Sequence, residues 1–506
     1  MTGRTILRHA LGPALLVLIL LIGLYLATLL YTTGQTLLAL VLLIALALTG
    51  FIYTSPRAYA YRYLFPGVAA AIVFVLFPLV YTVAIGFTNF SSTNLLSFDR
   101  ATQYLLDETR RAEGSGYAMT LHAEGNAYRV RLQQTESEAV YVTPALALLK
   151  KPPVTVALEP LAQTLLGVPL GIRDVIARQP GLKALTLTLP DGTALRMAGL
   201  RQFAATEKVW QRQPDRTLKN SASGALLVPD FRTGFYRDSA GVGVAPGFKV
   251  NIGFENFTRV FTDQAFRGPF LRIFVWTVVF AAITVLTTLS LGMVLAVLLN
   301  WEALRFRGLY RTLLFLPYAV PGFISILVFR GLFNNNFGEI NLILNALFGI
   351  QPAWFSDTTL AKVMILIVNT WLGYPYMMVL CMGLIKAIPA DLYEASALAG
   401  AGPLTNFFRI TLPLIIKPLT PLLVASFAFN FNNFVLVSLL TGGRPDFLDT
   451  TVPAGTTDLL VSYTYRIAFE DSGQNFGLAA AISTLIFLLV AALSVINMKL
   501  ARVNKP

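Results

Sequence analysis

Eight runs of roughly twenty mostly apolar residues with hardly any charge, near 11–30, 36–53, 64–87, 273–299, 312–333, 363–385, 418–440 and 476–498, constrain this chain more than any other feature. Each is long enough to cross a hydrocarbon core about 30 Å thick as an α-helix. Composition agrees: 55% of the residues are hydrophobic and only 13% are charged, where a soluble domain carries about 25% charged residues. The first run follows Arg4 and Arg8 like the start of a signal peptide. It is too long for a signal h-region, lacks a small-residue cleavage site and meets a second run almost at once, so it is read as a retained anchor.

The net charge of +13 invites a nucleic-acid reading, but the positions of the charges give another. Arg57, Arg62, Arg305, Arg307, Arg311, Lys386, Arg409, Lys417, Lys499, Arg502 and Lys505 fall, with Arg4 and Arg8, at alternate ends of the spans. The opposite short loops hold Lys362, Arg444 and Arg466. Basic loops stay in the cytoplasm, which predicts both termini inside. The single cysteine, Cys381, and two histidines, His9 and His122, offer neither an internal disulfide nor a metal ligand set.

Three regions follow: three N-terminal spans over 1–87, a large extracytoplasmic domain over 88–271, and a five-helix core over 272–506 with a cytoplasmic loop at 389–413. The middle region holds over half of the Lys and Arg and is long enough to bury its own core. Strand-like alternation at Ala127–Leu132 and Leu185–Leu189, with a Pro190-Asp191-Gly192-Thr193 turn, makes it α+β. Helices are expected near Ala145–Lys150 and Leu161–Leu166, and irregular chain from Val228 to Gly253. The fold class is therefore an α-helical polytopic membrane protein with an inserted α+β domain.

The first three spans are plain, as lipid-facing helices are. The last five carry Pro, Gly, Asn and aromatic residues, and Pro317, Pro321-Gly322, Pro375, Pro418 and Pro421 are expected to interrupt them. Such breaks persist where protein or a cavity satisfies the freed backbone. The spans are read as free of internal Asp, Glu, Lys and Arg, which argues against proton or sodium coupling. The sequence has no G-x-x-x-x-G-K-[ST] loop to cradle ATP, so uphill movement of a solute would draw its energy from another subunit.

Two helical faces stand out. Asn369, Leu372, Gly373 and Tyr376 lie at i, i+3, i+4, i+7 in the sixth span, and Ser426, Phe429, Asn430 and Asn433 repeat that spacing in the seventh. Each face pairs amides or hydroxyls with an aromatic ring and carries no charge. A neutral sugar suits such a surface, since its hydroxyls need donors and acceptors and its ring face packs on an aromatic. Asn and Ser equally serve as hydrogen-bonding contacts between membrane helices, and Gly373 opposite Phe429 equally suits close packing.

Between these spans, Pro389-Ala390-Asp391-Leu392-Tyr393-Glu394 opens an Ala-rich stretch that Gly400, Gly402 and Pro403 end. Asp391 and Glu394 are expected to form a capping box on a short helix that projects as a docking knob. Glu394-Ala395-Ser396, then Gly400, then Ile410-Thr411-Leu412-Pro413 resembles the E-A-A…G…I-x-L-P loop of binding-protein-dependent ABC importer permeases. Ser396 replaces the usual second Ala, and Ala399 stands where Asp is common. Residues 369–377, 391–403, 427–435 and 457–470, and the eight-span plan with its large insert, are similar to the maltose/maltodextrin permeases of that class.

The resemblance implies a type I permease core, a transport role rather than an enzyme, and alternating access. It implies a second permease subunit (MalG-like), an ATPase dimer (MalK-like) that binds ATP and Mg, no cofactor on this chain, and a periplasmic maltose-binding protein. The residues of the two faces would line the maltose or maltodextrin site. Glu394, Ala395, Ser396, Gly400, Ala401 and Gly402 would couple to the ATPase. Three rivals stand beside it: a permease for a different neutral oligosaccharide, an ion-coupled carrier, and a membrane-anchored receptor.

Overall fold

The computed structural model describes residues 3–134, 139–148, 155–161, 166–301 and 303–503. The chain forms two compact units, Met1–Ser92 with Asn251–Pro506, and Thr93–Val250. The second unit is the expected insert, narrower at both ends than 88–271. Its borders move inward because Thr88 bridges to Asn251 and because the helix Gln264–Asn300 starts well before the fourth expected span.

Within the membrane unit, Gly12–Thr32, Thr36–Thr54, Tyr61–Gly86, Gln264–Asn300, Thr358–Lys386 and Pro403–Phe431 are each long and apolar enough to span. Arg307–Ala319 and Gly322–Leu332, bent by 91° at their break, are together also long and apolar enough and make the fifth expected span. The last expected span lies in the helix Phe476–Val503, whose apolar part is the shorter stretch Phe476–Ala492. Hardly any side chains of the first three are buried, as expected of helices that face lipid.

Prolines act differently from expectation. Only the pair Pro321-Gly322 breaks a helix: Val320 is extended (φ −91°, ψ 131°) and the ladder restarts beyond it in a new direction. Pro375, Pro418 and Pro421 sit inside continuous helices, since one proline removes a single hydrogen bond and helix neighbours absorb that loss. The seventh span is also displaced. Its helix is Pro403–Phe431, and a separate short helix, Phe434–Leu440, follows a break at Asn432 and Asn433. The spans are not free of charge either. Arg330 lies in the fifth, where its Nη1 donates to the Leu439 carbonyl at 3.3 Å. Lys362 lies in the first turns of the sixth, with its Nζ 4.7 Å from the Trp276 ring centroid.

The helices Gln264–Asn300 and Thr358–Lys386 form the backbone of this unit. A Cβ at Gly292 would sit 2.7 Å from the Met378 nitrogen, so the two helices meet at backbone distance, the usual role of small residues between membrane helices. Thr287 and Thr370 share a hydroxyl hydrogen bond of 2.8 Å across the same contact.

The β-rich unit has its own two cores. An eight-stranded sheet runs in the order Thr155–Ala157, Thr186–Thr188, Ala194–Gly199, Gln202–Lys208, Thr109–Glu124, Ala127–Gln134, Val140–Val142 and Glu159–Pro160. The expected alternation sets its inner face: Val130 and Leu132 are fully buried, and Arg129 and Arg131 between them are not. The expected hairpin pairs Thr188 with Ala194, Gly192 takes φ +87°, and Asp191 accepts from the Thr193 amide at 2.8 Å. His122 is held between the Gly167 carbonyl and the Thr120 hydroxyl.

A second sheet of five short strands, Trp210–Arg212 to Gly243–Val244, packs on Leu105, Tyr236 and Phe248. Strands Leu226–Asp230, Phe235–Arg237 and Gly243–Val244 thus occupy chain expected to be irregular. Asp230 makes this possible by capping the turn between two of them, accepting from the Arg232 amide and the Thr233 hydroxyl. Residues 145–148 are not helical, because Leu146 bridges to Tyr128. The rest of Ala145–Lys150, and 162–165 of the other expected helix, lie outside the described residues.

Candidate functional site

A cavity of about 760 Å³ opens among the membrane helices, and all eight residues of the two sequence-derived faces line it. Asn369, Leu372, Gly373 and Tyr376 come from Thr358–Lys386. Ser426, Phe429 and Asn430 come from the end of Pro403–Phe431. Asn433 lies beyond the break, where its side chain accepts from the Leu436 amide and starts the next helix.

The amides are cross-linked. Asn369 Nδ2 donates to Asn430 Oδ1 at 2.8 Å and to the Thr284 hydroxyl at 3.2 Å. Asn433 Nδ2 donates to Asn369 Oδ1 at 3.2 Å, and Asn430 Nδ2 to the Ser426 carbonyl at 2.8 Å. Helix contact and cavity lining are therefore the same residues. The bonds settle which way each amide points and satisfy groups that would otherwise be costly to bury. The aromatic rings stay open: Phe429 is 72% exposed and Tyr376 41%, against 5% for Asn369. Gly373 packs against Thr288 rather than Phe429, and a Cβ there would meet Thr288 Cγ2 at 2.8 Å.

Two parts of the wall are not legible in the faces. Thr284 and Thr288 enter from Gln264–Asn300, and Tyr318 to Phe323 enter where the fifth span bends. The signal for the second was the Pro321-Gly322 pair. Threonines in an apolar run gave no signal for the first. Among the described lining residues none is charged. The cavity has a size common among small-ligand sites, and it offers hydroxyls, amides and two open rings to a neutral, polyhydroxylated guest.

The cytoplasm-facing loop of the sequence reading is a helix, Ala390–Leu398, with no buried residue. Pro389 takes its N-cap position and no side chain caps it, so Asp391 and Glu394 form no capping box. The helix starts two residues earlier than that pattern requires, and Asp391 falls inside the first turn, where a carboxylate favours the helix N-terminus by charge. The end is as expected. Gly400 takes φ +72°, its amide donates to the Ala397 carbonyl, and the Ala401 amide donates to the Ser396 carbonyl, a Schellman motif. Ser396 Oγ donates to Asn406 Oδ1, and Tyr393 shares a hydroxyl bond with Thr411. The loop helix is thereby fastened to the start of the Pro403–Phe431 helix, with Gly402 as its N-cap. Glu394, Ala395 and Ala401 are left at the surface or close to it.

A buried ionic hub was missed by sequence reasoning. Arg466 is almost fully enclosed and reaches Asp446 at 2.7 Å, Asp458 at 2.8 Å and Glu470 at 3.1 Å. Asp458 also accepts from Ser462 and from the Gly455 amide. Nothing in the local pattern joins residues twenty apart, and the turns between them bring the partners together.

Residues 288–502 match the family of binding-protein-dependent transport system inner membrane components, and residues 96–253 match the P2 domain of the maltose transport system permease protein MalF. The chain is 54% identical over 492 residues to the maltose/maltodextrin transport system permease protein MalF of Escherichia coli (strain K12), covering 96% of this chain and 95% of that protein. The MalF of Vibrio parahaemolyticus is 52% identical over 457 residues, covering 89% and 86%. A crystal structure of a bacterial ABC transporter involved in alginate import is 20% identical, with TM-score 0.44, covering 50% of this chain and 85% of that one. Fold and matches together define a multi-pass inner-membrane permease of an ABC importer, a transport protein rather than an enzyme. The chain belongs to the MalF family of maltose/maltodextrin transport permeases.

Proposed function

We propose that this chain is the membrane-spanning subunit that carries maltose and maltodextrins through an ATP-driven, binding-protein-dependent importer by alternating access. One observation carries the substrate reading: both predicted faces line a single uncharged cavity with two open aromatic rings. Asn369, Asn430 and Asn433 would hold sugar hydroxyls, and Phe429 and Tyr376 would stack on the sugar ring faces. Leu372, Gly373 and Ser426 would shape the wall.

The exposed helix Ala390–Leu398 supports a docking role toward a MalK-like ATPase dimer, which would bind ATP and Mg and supply the energy. Glu394 to Gly402 would form the contact. A MalG-like second permease would complete the pathway, and a periplasmic maltose-binding protein would deliver the sugar, held in part by the Thr93–Val250 unit. The alternation of basic residues supports cytoplasmic termini and a periplasmic position for that unit.

The test is ATPase activity of the assembled complex in liposomes, with and without maltose-loaded binding protein. Strong stimulation is expected. Gly400→Val should abolish it, because a β-branched residue resists the left-handed conformation, and Gly400→Asn should keep most of it. Activity indifferent to the binding protein would overturn the importer reading. Full stimulation of Gly400→Val would overturn the docking role alone.

A further inference from the structure

A second cavity, about 600 Å³, lies away from the first, at the mouth of three membrane helices. Asn300 ends Gln264–Asn300, Arg307 begins Arg307–Ala319, and Lys386 ends Thr358–Lys386. All three line the cavity, with Arg311 one turn beyond Arg307 and with Tyr393 of the exposed loop helix. The position is fixed by sequence: each residue stands where an apolar run stops, at the level of lipid headgroups.

Three cations line one cavity. Among the described residues no carboxylate pairs with Arg307, Arg311 or Lys386. Asn300 adds an unusual group. Its side chain lines the cavity, and its Nδ2, shut off from solvent, has no hydrogen-bond partner among the described residues, a state that buried donors rarely keep. Ile385 and Ile388, both half-buried, give the cavity an apolar side.

We infer that this cavity binds the phosphate of an anionic phospholipid, with the headgroup among Arg307, Arg311, Lys386 and Asn300 and an acyl chain along the isoleucines. A phosphodiester supplies the missing negative charge. The apolar side distinguishes a lipid from a free phosphate, which has nothing to place there. Tyr393 puts the bound headgroup against the loop helix. The inference does not depend on the sugar reading of the first cavity.

Native mass spectrometry of the assembled complex, released from nanodiscs of phosphatidylcholine with a minor share of phosphatidylglycerol, tests it. Retention of phosphatidylglycerol over phosphatidylcholine is expected. Arg307→Gln, Arg311→Gln and Lys386→Gln should each weaken it about fivefold, and the triple variant should retain neither lipid preferentially. Arg307→Lys should keep the preference. If the triple variant does not assemble, the comparison of the two lipids on the unaltered complex still decides. Equal retention of both lipids would overturn the inference, as would a triple variant that keeps phosphatidylglycerol. Inorganic phosphate binding as tightly as the lipid, measured calorimetrically in detergent, would assign the site to a soluble anion and overturn the lipid. Retention by the free permease that vanishes when the ATPase subunits bind would place those subunits on the cations and overturn it too.

Discussion

Asn369 donates through Nδ2 to Asn430 Oδ1 at 2.8 Å, joining the two helices that carry the sequence-derived faces. Asn433 closes the set by donating to Asn369 Oδ1. The lining of the cavity and the packing of its walls therefore rest on the same amides. Asn369→Ala and Asn430→Ala should each lower the melting temperature of the complex and raise the KM of maltose uptake. In a double-mutant cycle they should couple by about 0.6 kcal/mol, with a ceiling near 1.7 kcal/mol. Purely additive effects would mean that the amides act independently.

Gly373 owes its identity to Thr288. A Cβ at Gly373 would approach Thr288 Cγ2 to 2.8 Å, and the β-branched threonine has little freedom to move away. Gly373→Ala should destabilise the complex by about 1–3 kcal/mol. Thr288→Ser in the same chain removes the offending methyl and keeps the hydroxyl that bonds to the Thr284 carbonyl. Thermal unfolding of single and double variants should show recovery in the second.

Arg466 is the one cation among three carboxylates, and Asp458 beside it is fully buried. Removing the guanidinium strands that carboxylate. Arg466→Met should destabilise by about 3–5 kcal/mol. Adding Asp458→Asn removes the stranded charge and should restore a large part. Gly443→Ala should be damaging by itself, since its φ is +83° and a Cβ there would overlap the Asp458 carboxylate. Melting of the detergent-solubilised complex reads all three.

Asp230 gives the β-rich unit an acid dependence. The Thr233 hydroxyl, the Arg232 amide and the Arg237 guanidinium beside it hold its carboxyl down at about 2. The folded value lies below the unfolded one, about 3.9, so this contribution is fully present above the unfolded value. It is lost as pH falls from there toward 2. The segment 93–250, which has its own two cores, should melt progressively lower over that window. Asp230→Asn should flatten the response and lower stability at neutral pH.

Much of the site was legible because helical spacing is a property of sequence alone. Residues at i, i+3, i+4 and i+7 share a face whatever the fold, so Asn369 to Tyr376 and Ser426 to Asn433 could be grouped before any coordinates. The apolar runs likewise make the chain cross the membrane repeatedly as helices, since no unsatisfied backbone survives in hydrocarbon. Gly400 as a helix stop is local chemistry too, because few other residues take φ +72° without strain. Where local rules failed, a neighbour had intervened. Pro375 reads as a breaker and is carried inside a helix packed against Gln264–Asn300. Asp391 reads as a cap and yields that place to Pro389.

The sequence by itself determined that the chain crosses the membrane repeatedly, carries one large polar insert, and presents two uncharged amide-and-aromatic faces. Hydrophobic length and helical period decide these without reference to distant residues. Tertiary structure alone decided that the two faces meet around one cavity, that Thr284 and Thr288 join them, and that Arg466 gathers Asp446, Asp458 and Glu470. Those outcomes depend on which helices pack together and where the chain turns, and that is set by contacts between residues tens of positions apart, to which no local pattern is sensitive.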